Sequence, residues 1–307
     1  MELKSKSFPS VVYMSDQQKD REVLRQGFLK CRAITRKYGT SFYFATQFFP
    51  AEVRDAIYAV YAFARIPDEI VDDPSFENRT TALKRLGEWR DEWRAAMTAG
   101  GSPDEMMNAI VQTFRKYQIP AEDGEAFLDS MFMDDEKREY ADYAELEKYM
   151  YGSAGVIGLM VTRIIGFESE TAFPHAIKLG YAFQLTNFLR DIREDYEDLG
   201  RVYMPQEHLR RFKLTNSDIS RRVYDQRFID FMKFQIERNR VLYKEALPGI
   251  RLLHWRGRLA VRVSYVLYKA ILGEVERANY NIYRERVRTS FRQKLWLSAK
   301  ALVNIYE

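Results

Sequence analysis

A single all-α domain spanning residues 1–307 is what this sequence predicts, on three observations. Apolar residues recur with helical rather than strand periodicity over most of the chain. Glycine and proline are few, 15 and 9 residues, and most fall between the periodic segments. Hydrophobic residues make up 46% of the chain, enough for a sizeable core, and no low-complexity linker or repeat divides it.

The helices follow in order. Residues 18–37 form the first periodic segment and 51–72 the second, with Pro67 expected to bend it. The next covers 79–98. Gly100-Gly101-Ser102-Pro103 breaks the pattern, and Pro103 is a favoured first-turn residue for a helix over 103–117. Ile119-Pro120 makes a second break before 122–134. Two long segments follow, 142–165 and 171–197, and the last three are 216–246, 255–280 and 291–305.

Composition narrows the function classes. Cys31 is the single cysteine, so an internal disulfide and a cysteine-based zinc site are both excluded. The start, MELKSKSFPS, carries no apolar signal-peptide core, and no run of eighteen apolar residues occurs. A cytoplasmic protein is the expectation. Tyrosine and phenylalanine number 20 each, suiting an apolar pocket or one that faces a cation. The net charge of +4 suits anionic substrates or an anionic surface without proving either.

Two acidic segments stand out. In ARIPDEIVDD, residues 64–73, four of ten residues are acids at the end of an apolar helix. Asp68 and Asp72 stand i, i+4 and so share a helix face, where like charges repel. A divalent cation would remove that repulsion, because Mg²⁺ takes one or two carboxylates together with substrate phosphates. Arg65, three residues before Asp68, either contacts a phosphate or neutralises the acids. Taken alone, this segment is better explained as a solvated helix end with an ordinary i, i+3 ion pair.

The second segment, QLTNFLRDIREDYEDLGRVYMP (184–205), repeats the spacing at Asp191 and Asp195. One turn at a time, Gln184, Asn187, Asp191 and Asp195 form a polar stripe, flanked by Phe183, Leu185, Phe188, Leu189 and Ile192. Such a stripe is costly to bury unless something satisfies it, and amides and carboxylates in line suit a metal with its water shell.

Together these segments resemble the two motifs of the squalene/phytoene synthase family. Tyr61, Arg65, Asp68 and Asp72 match the first, with Glu69 where many members have Asp. Gln184, Asn187, Arg190, Asp191, Asp195, Arg201, Tyr203 and Pro205 match the second. SFYFATQFFP (41–50), YMYGSAGVIG (149–158) and NYNIYRERV (279–287) are similar to the stretches that flank the motifs, so the resemblance runs from about residue 30 to 290.

The resemblance implies an isoprenoid synthase-type helical bundle around a central apolar cavity. It implies head-to-head condensation of two identical prenyl diphosphates through a cyclopropylcarbinyl diphosphate. Mg²⁺, or Mn²⁺ in its place, would be held by Asp68, Asp72, Asn187, Asp191 and Asp195, with Tyr149 joining the four aspartates as catalytic. Substrate-binding roles fall to Ser41, Phe42, Tyr61, Arg65, Gly158, Gln184, Asn187, Arg190, Arg201, Tyr203, Tyr268 and Arg286. Phe42, Tyr61 and Tyr149 would face a carbocation, although such aromatics are more often plain core. Gly152, Ser153, Ala154, Gly155 and Gly158 would make room for isoprenoid tails, or merely allow close helix packing. Proton loss from the twenty-carbon pair gives phytoene, and from the fifteen-carbon pair dehydrosqualene. NADPH enters only if the product is squalene, and no glycine-rich dinucleotide fingerprint is present. Thr46, four residues from Phe42, would leave room for the longer tail and Tyr58 would shorten the pocket, which tilts the choice toward phytoene.

Residues 251–307 hold twelve Lys or Arg against four acids. No nucleic-acid-binding motif accompanies them. A solvated basic face explains them, and so does peripheral attachment to an anionic membrane on its cytoplasmic side. Three rivals remain: a head-to-tail prenyltransferase or terpene cyclase, whose acid motifs differ; a non-enzymatic relative acting as an assembly factor, which would lack intact motifs; and a purely structural helical scaffold, which would leave the stripe Gln184, Asn187, Asp191 and Asp195 unexplained. The oligomeric state has no signature in the sequence.

Overall fold

The computed structural model describes residues 16–73 and 79–303, all but a few turns and loops of it helical, with no strand among the described residues. Helices α1 (Asp16–Tyr38), α2 (Thr40–Thr46), α3 (Ala51–Asp72), α4 (Arg79–Ala99), α5 (Glu105–Lys116) and α6 (Ala121–Glu136) form the first half. Then come α7 (Tyr143–Met150), α8 (Val156–Ile165) and α9 (Ala172–Leu199). Helices α10 (Gln206–Arg211), α11 (Asn216–Ser220), α12 (Gln226–Ala246), α13 (Trp255–Arg277) and α14 (Phe291–Val303) complete the chain.

Two helices organise the bundle. α3 packs against α1, α4, α5, α6 and α8, and α9 packs against α8, α12 and α13. On α3, Ala56, Ile57, Ala59, Val60, Ala62 and Phe63 are buried, the apolar stripe the sequence shows. Phe63 lies within 5.1–5.6 Å, ring centre to ring centre, of Trp89, Trp93, Phe114 and Phe127, which ties α3 to α4, α5 and α6. Such aromatic pairs add to simple area burial.

Three expectations change. The segment 142–165 is interrupted by a π-helical stretch, Tyr151–Gly155, of the kind that often marks functional sites. The segment 216–246 is broken between α11 and α12, where Arg222 adopts φ 56° and the Asp225 carboxylate caps α12 through the N–H groups of Arg227 and Phe228. Two short helices, α2 and α10, fall outside the segments expected to be helical. Pro67 lies within α3, which stays helical through to Asp72. The tail of the expected helix 291–305 lies outside the described residues.

Candidate active site

Both acid motifs sit at helix C-terminal ends, on α3 and α9. The last turns of α3 carry Arg65, Asp68 and Asp72. α9 ends at Gly200, whose φ of 65° is one that favours glycine, and the N–H groups of Gly200 and Arg201 return to the carbonyls of Tyr196 and Asp195. This reversal turns Arg201 back toward α3. Its Nη1 donates to Asp72 Oδ1 at 2.7 Å and lies 3.0 Å from Asp134 Oδ2, with only 4% of Arg201 exposed. One guanidinium thus ties the first motif to the end of the second.

The acids repel one another. Burial, reinforced by Asp72 and Asp134, pushes the Asp68 carboxyl up to about 7 despite Arg65, whose Nη1 donates to it at 2.6 Å. Burial and the charges of Asp191, Asp134 and Asp72 raise Asp195 well above the ordinary carboxylate range. Asp191 behaves differently. Burial alone would raise it, but hydrogen bonds from Arg190 (Nε, 2.7 Å) and Arg286 (2.9 and 2.8 Å) hold it below that range. Glu69 pairs with Arg65, so the departure from Asp at this position keeps a counter-charge.

This donor set suits a hard divalent cation, since added positive charge relieves the repulsion that raises Asp68 and Asp195. Among the described residues no three acid, histidine or cysteine side chains already close on one point as a metal cage. A site completed by substrate phosphate oxygens is the arrangement Mg²⁺ commonly adopts.

The same two helices, α3 and α9, help line a mainly apolar cavity of about 270 Å³. Phe42, Tyr61, Gly158, Gln184 and Tyr268, all expected from the sequence, line it together with Phe183. The aromatics are paired: Phe42 stacks on Tyr61 at 5.1 Å and Phe183 on Tyr268 at 4.3 Å. Ser153 and Ala154 reach the wall from the π-helical stretch. Gly158 does two jobs, because a Cβ there would stand 2.5 Å from the Ala176 carbonyl oxygen, so α8 and α9 can approach only without one.

Tyr149 and Tyr203 are buried rather than cavity-lining, and both stack with Phe188. Ser41 sits on α2 beside Phe42, and Asn187 on α9 one turn before Asp191. The tail-length argument from Thr46 and Tyr58 is corrected: neither lines the cavity. Thr46 is buried with its hydroxyl on the Phe42 carbonyl, and Tyr58 stacks on Tyr43 and accepts from Gln47. These contacts hold Thr46, on α2, and Tyr58, on α3, off the cavity wall that Phe42 lines.

One residue at the centre was missed. Asp134, at the end of α6, is 3% exposed and accepts from the Tyr203 hydroxyl at 2.7 Å. Burial pushes its carboxyl up to about 6, against the pull of Arg201. The available signal was its register: Phe127, Met131 and Asp134 follow i, i+4, i+7, so an acid ends an apolar stripe.

Helices that set opposed carboxylates beside an apolar cavity suit a prenyltransferase, which must grip a diphosphate and shelter a hydrocarbon tail. The chain belongs to the squalene/phytoene synthase family, whose model matches residues 35–293. It is 34% identical over 275 residues to a 15-cis-phytoene synthase of Synechococcus elongatus, covering 86% of this chain and 88% of that protein. A 15-cis-phytoene synthase of Synechocystis is 34% identical over 290 residues, covering 89% and 85%. Among solved structures, a dehydrosqualene synthase superposes with a TM-score of 0.85 at 24% identity, covering 92% of this chain and 98% of that one. A squalene synthase from Alicyclobacillus acidocaldarius gives 0.75 at 27% identity, covering 84% and 96%. The protein is therefore an all-α prenyltransferase.

Proposed function

We propose that the chain joins two geranylgeranyl diphosphates head to head, through a cyclopropylcarbinyl diphosphate, and releases phytoene after proton loss. The observation that carries this is the tie from Asp72 through Arg201, which links the acid-bearing helix α3 to the turn after α9, the two helices that also line the apolar cavity. The twenty-carbon substrate rests on the relatives named phytoene synthase, since Thr46 and Tyr58 do not bear on the cavity. Farnesyl diphosphate, giving dehydrosqualene or squalene, is the alternative, and NADPH is required only for squalene.

Mg²⁺ held by Asp68, Asp72, Asn187, Asp191 and Asp195 would neutralise the departing diphosphate. Arg65, Arg190 and Arg286 sit on those acids and can exchange carboxylate for diphosphate oxygens, because guanidinium forks fit both. The stacked pairs Phe42–Tyr61 and Phe183–Tyr268 offer ring faces to a carbocation. The apolar wall keeps water from it.

The partner we assign to α14 is an anionic lipid surface. Phe291 and Trp296 are 65% and 62% exposed, Leu295 and Leu302 are exposed too, and Arg292, Lys294 and Lys300 accompany them with no acid on the helix. Other C-terminal cations are engaged internally, Arg258 with Glu168, Arg277 with Glu274 and Arg286 with Asp191, so overall charge is the weaker argument.

The test of the reaction is product analysis. Purified protein with Mg²⁺ and geranylgeranyl diphosphate is expected to yield phytoene without NADPH. A product only from farnesyl diphosphate would move the assignment to the fifteen-carbon alternative, and no hydrocarbon from either would overturn it.

A further inference from the structure

Asp134 lies outside both acid motifs, yet the two side chains that bind it, Arg201 and Tyr203, belong to the second. Its carboxylate sits near the C-terminus of α6, where the helix dipole disfavours negative charge, and is almost wholly buried. A buried carboxylate persists only when donors satisfy it. Tyr203 supplies one hydroxyl, 2.7 and 3.0 Å from the two carboxylate oxygens. Arg201 Nη1 lies 3.0 Å from Oδ2. Tyr149 stacks on Tyr203, with ring centres 5.6 Å apart.

These donors act where the chemistry is expected. Arg201 also holds Asp72, so Asp134 fixes the guanidinium that orients a first-motif carboxylate. Tyr203 lies flat on Phe188, with ring centres 4.1 Å apart and planes 9° apart, and Tyr149 stacks on both. With its hydroxyl tied to the carboxylate, Tyr203 is locked in orientation, and Tyr149 packs on its ring. Packing alone does not require an acid here, because an apolar residue would continue the Phe127–Met131 stripe of α6 without burying a charge.

We propose that Asp134 is a positioning residue for the condensation: by holding Tyr203 and Arg201 it sets the stacked rings of Tyr203, Phe188 and Tyr149 and the Asp72 carboxylate in one arrangement. This rests on the prenyl diphosphate reaction proposed above. Asp134 touches neither substrate nor metal in this role and acts through the two side chains it binds.

The experiment compares wild type, D134N, D134E and Y203F with Mg²⁺ and geranylgeranyl or farnesyl diphosphate. It measures kcat, KM, the ratio of hydrocarbon to prenyl alcohol, and thermal stability. The expected result for D134N is a kcat lower by roughly 10- to 100-fold, the loss of a charged hydrogen-bond acceptor, with KM changed less than about threefold. The alcohol share should rise as the loosened packing lets water reach the cation, and D134E should recover part of the rate. Y203F removes one hydroxyl and no charge, so it reports even where D134N does not fold, and it should shift products the same way. Wild-type kcat and products in a folded D134N, or in Y203F, would overturn the proposal. So would a rate loss that follows thermal destabilisation with an unchanged product ratio. An inactive wild type would instead overturn the reaction itself, and the positioning role with it.

Discussion

Arg286 and Asp191 are joined by two parallel hydrogen bonds, 2.9 and 2.8 Å long, across 95 residues of chain. The pair brings the loop between α13 and α14 onto the second acid motif, where Arg190 already contacts the same carboxylate. Two guanidiniums on one carboxylate are more positive charge than that carboxylate needs, and the excess suits a diphosphate.

Arg286→Ala should therefore raise KM for the prenyl diphosphate by about tenfold or more, since a charged hydrogen bond is lost. Arg286→Lys should fall between, keeping charge but losing the planar fork. Steady-state kinetics with a melting curve check this. A drop in melting temperature with KM unchanged would assign the pair to structure alone.

Asp68→Asn should separate stability from activity. Asp68 is pushed up to about 7 by burial and then by Asp72, so the folded chain carries an electrostatic penalty there. Removing the charge should leave the melting temperature of the metal-free protein equal or higher, while cutting turnover by about 100-fold or more, as loss of a metal-site carboxylate would. Chelation with EDTA should abolish wild-type turnover and Mg²⁺ restore it. A lower melting temperature in the variant, with Mg²⁺-dependent activity intact, would return Asp68 to an ordinary ion pair with Arg65.

His208 sets an acid-side stability limit. Burial, with Arg238 and Arg211 adding like charge against Glu207, pushes it down to about 4. Its folded value lies below the unfolded value, so between pH 6.5 and 4 the unfolded chain binds a proton that the folded chain refuses. Stability is then lost as pH falls through that window, by at most about 2 kcal/mol at pH 5 from this group. His208→Asn should shrink the drop in melting temperature between pH 7 and pH 5. An unchanged drop would place the acid sensitivity elsewhere.

Membrane binding has its own readout. Vesicles containing anionic lipid should retain the protein, neutral vesicles should not, and high salt should release it. Phe291→Ser combined with Trp296→Ser should weaken retention while leaving the fold intact, because both side chains are mostly exposed. Equal retention on neutral vesicles, or none on anionic ones, would remove the lipid surface as a partner.

Local pattern carried much of this protein. Helix α3 falls on residues 51–72 as its apolar period indicates, and the i, i+4 acids on α3 and α9 were visible as two pairs. Spacing along one helix is written in consecutive residues, so a chain read alone reveals it. The break between α11 and α12 was hidden because Arg222 supplies the left-handed turn where glycine would have signalled one. The short helices α2 and α10 are too brief to show a period of their own.

Other features depend on residues far apart in the chain. The contacts Arg201–Asp72 and Arg286–Asp191 span 129 and 95 residues. Asp134 gains its meaning only when α6 packs against α3 and meets the turn after α9, and Thr46 and Tyr58 lose theirs when contacts with Phe42, Tyr43 and Gln47 hold them off the cavity wall. By itself the sequence determined the helices, the two carboxylate pairs and the family they resemble. Tertiary packing alone decided which charges meet, because a buried carboxylate is set by the donors that surround it, and here those donors come from distant helices and loops.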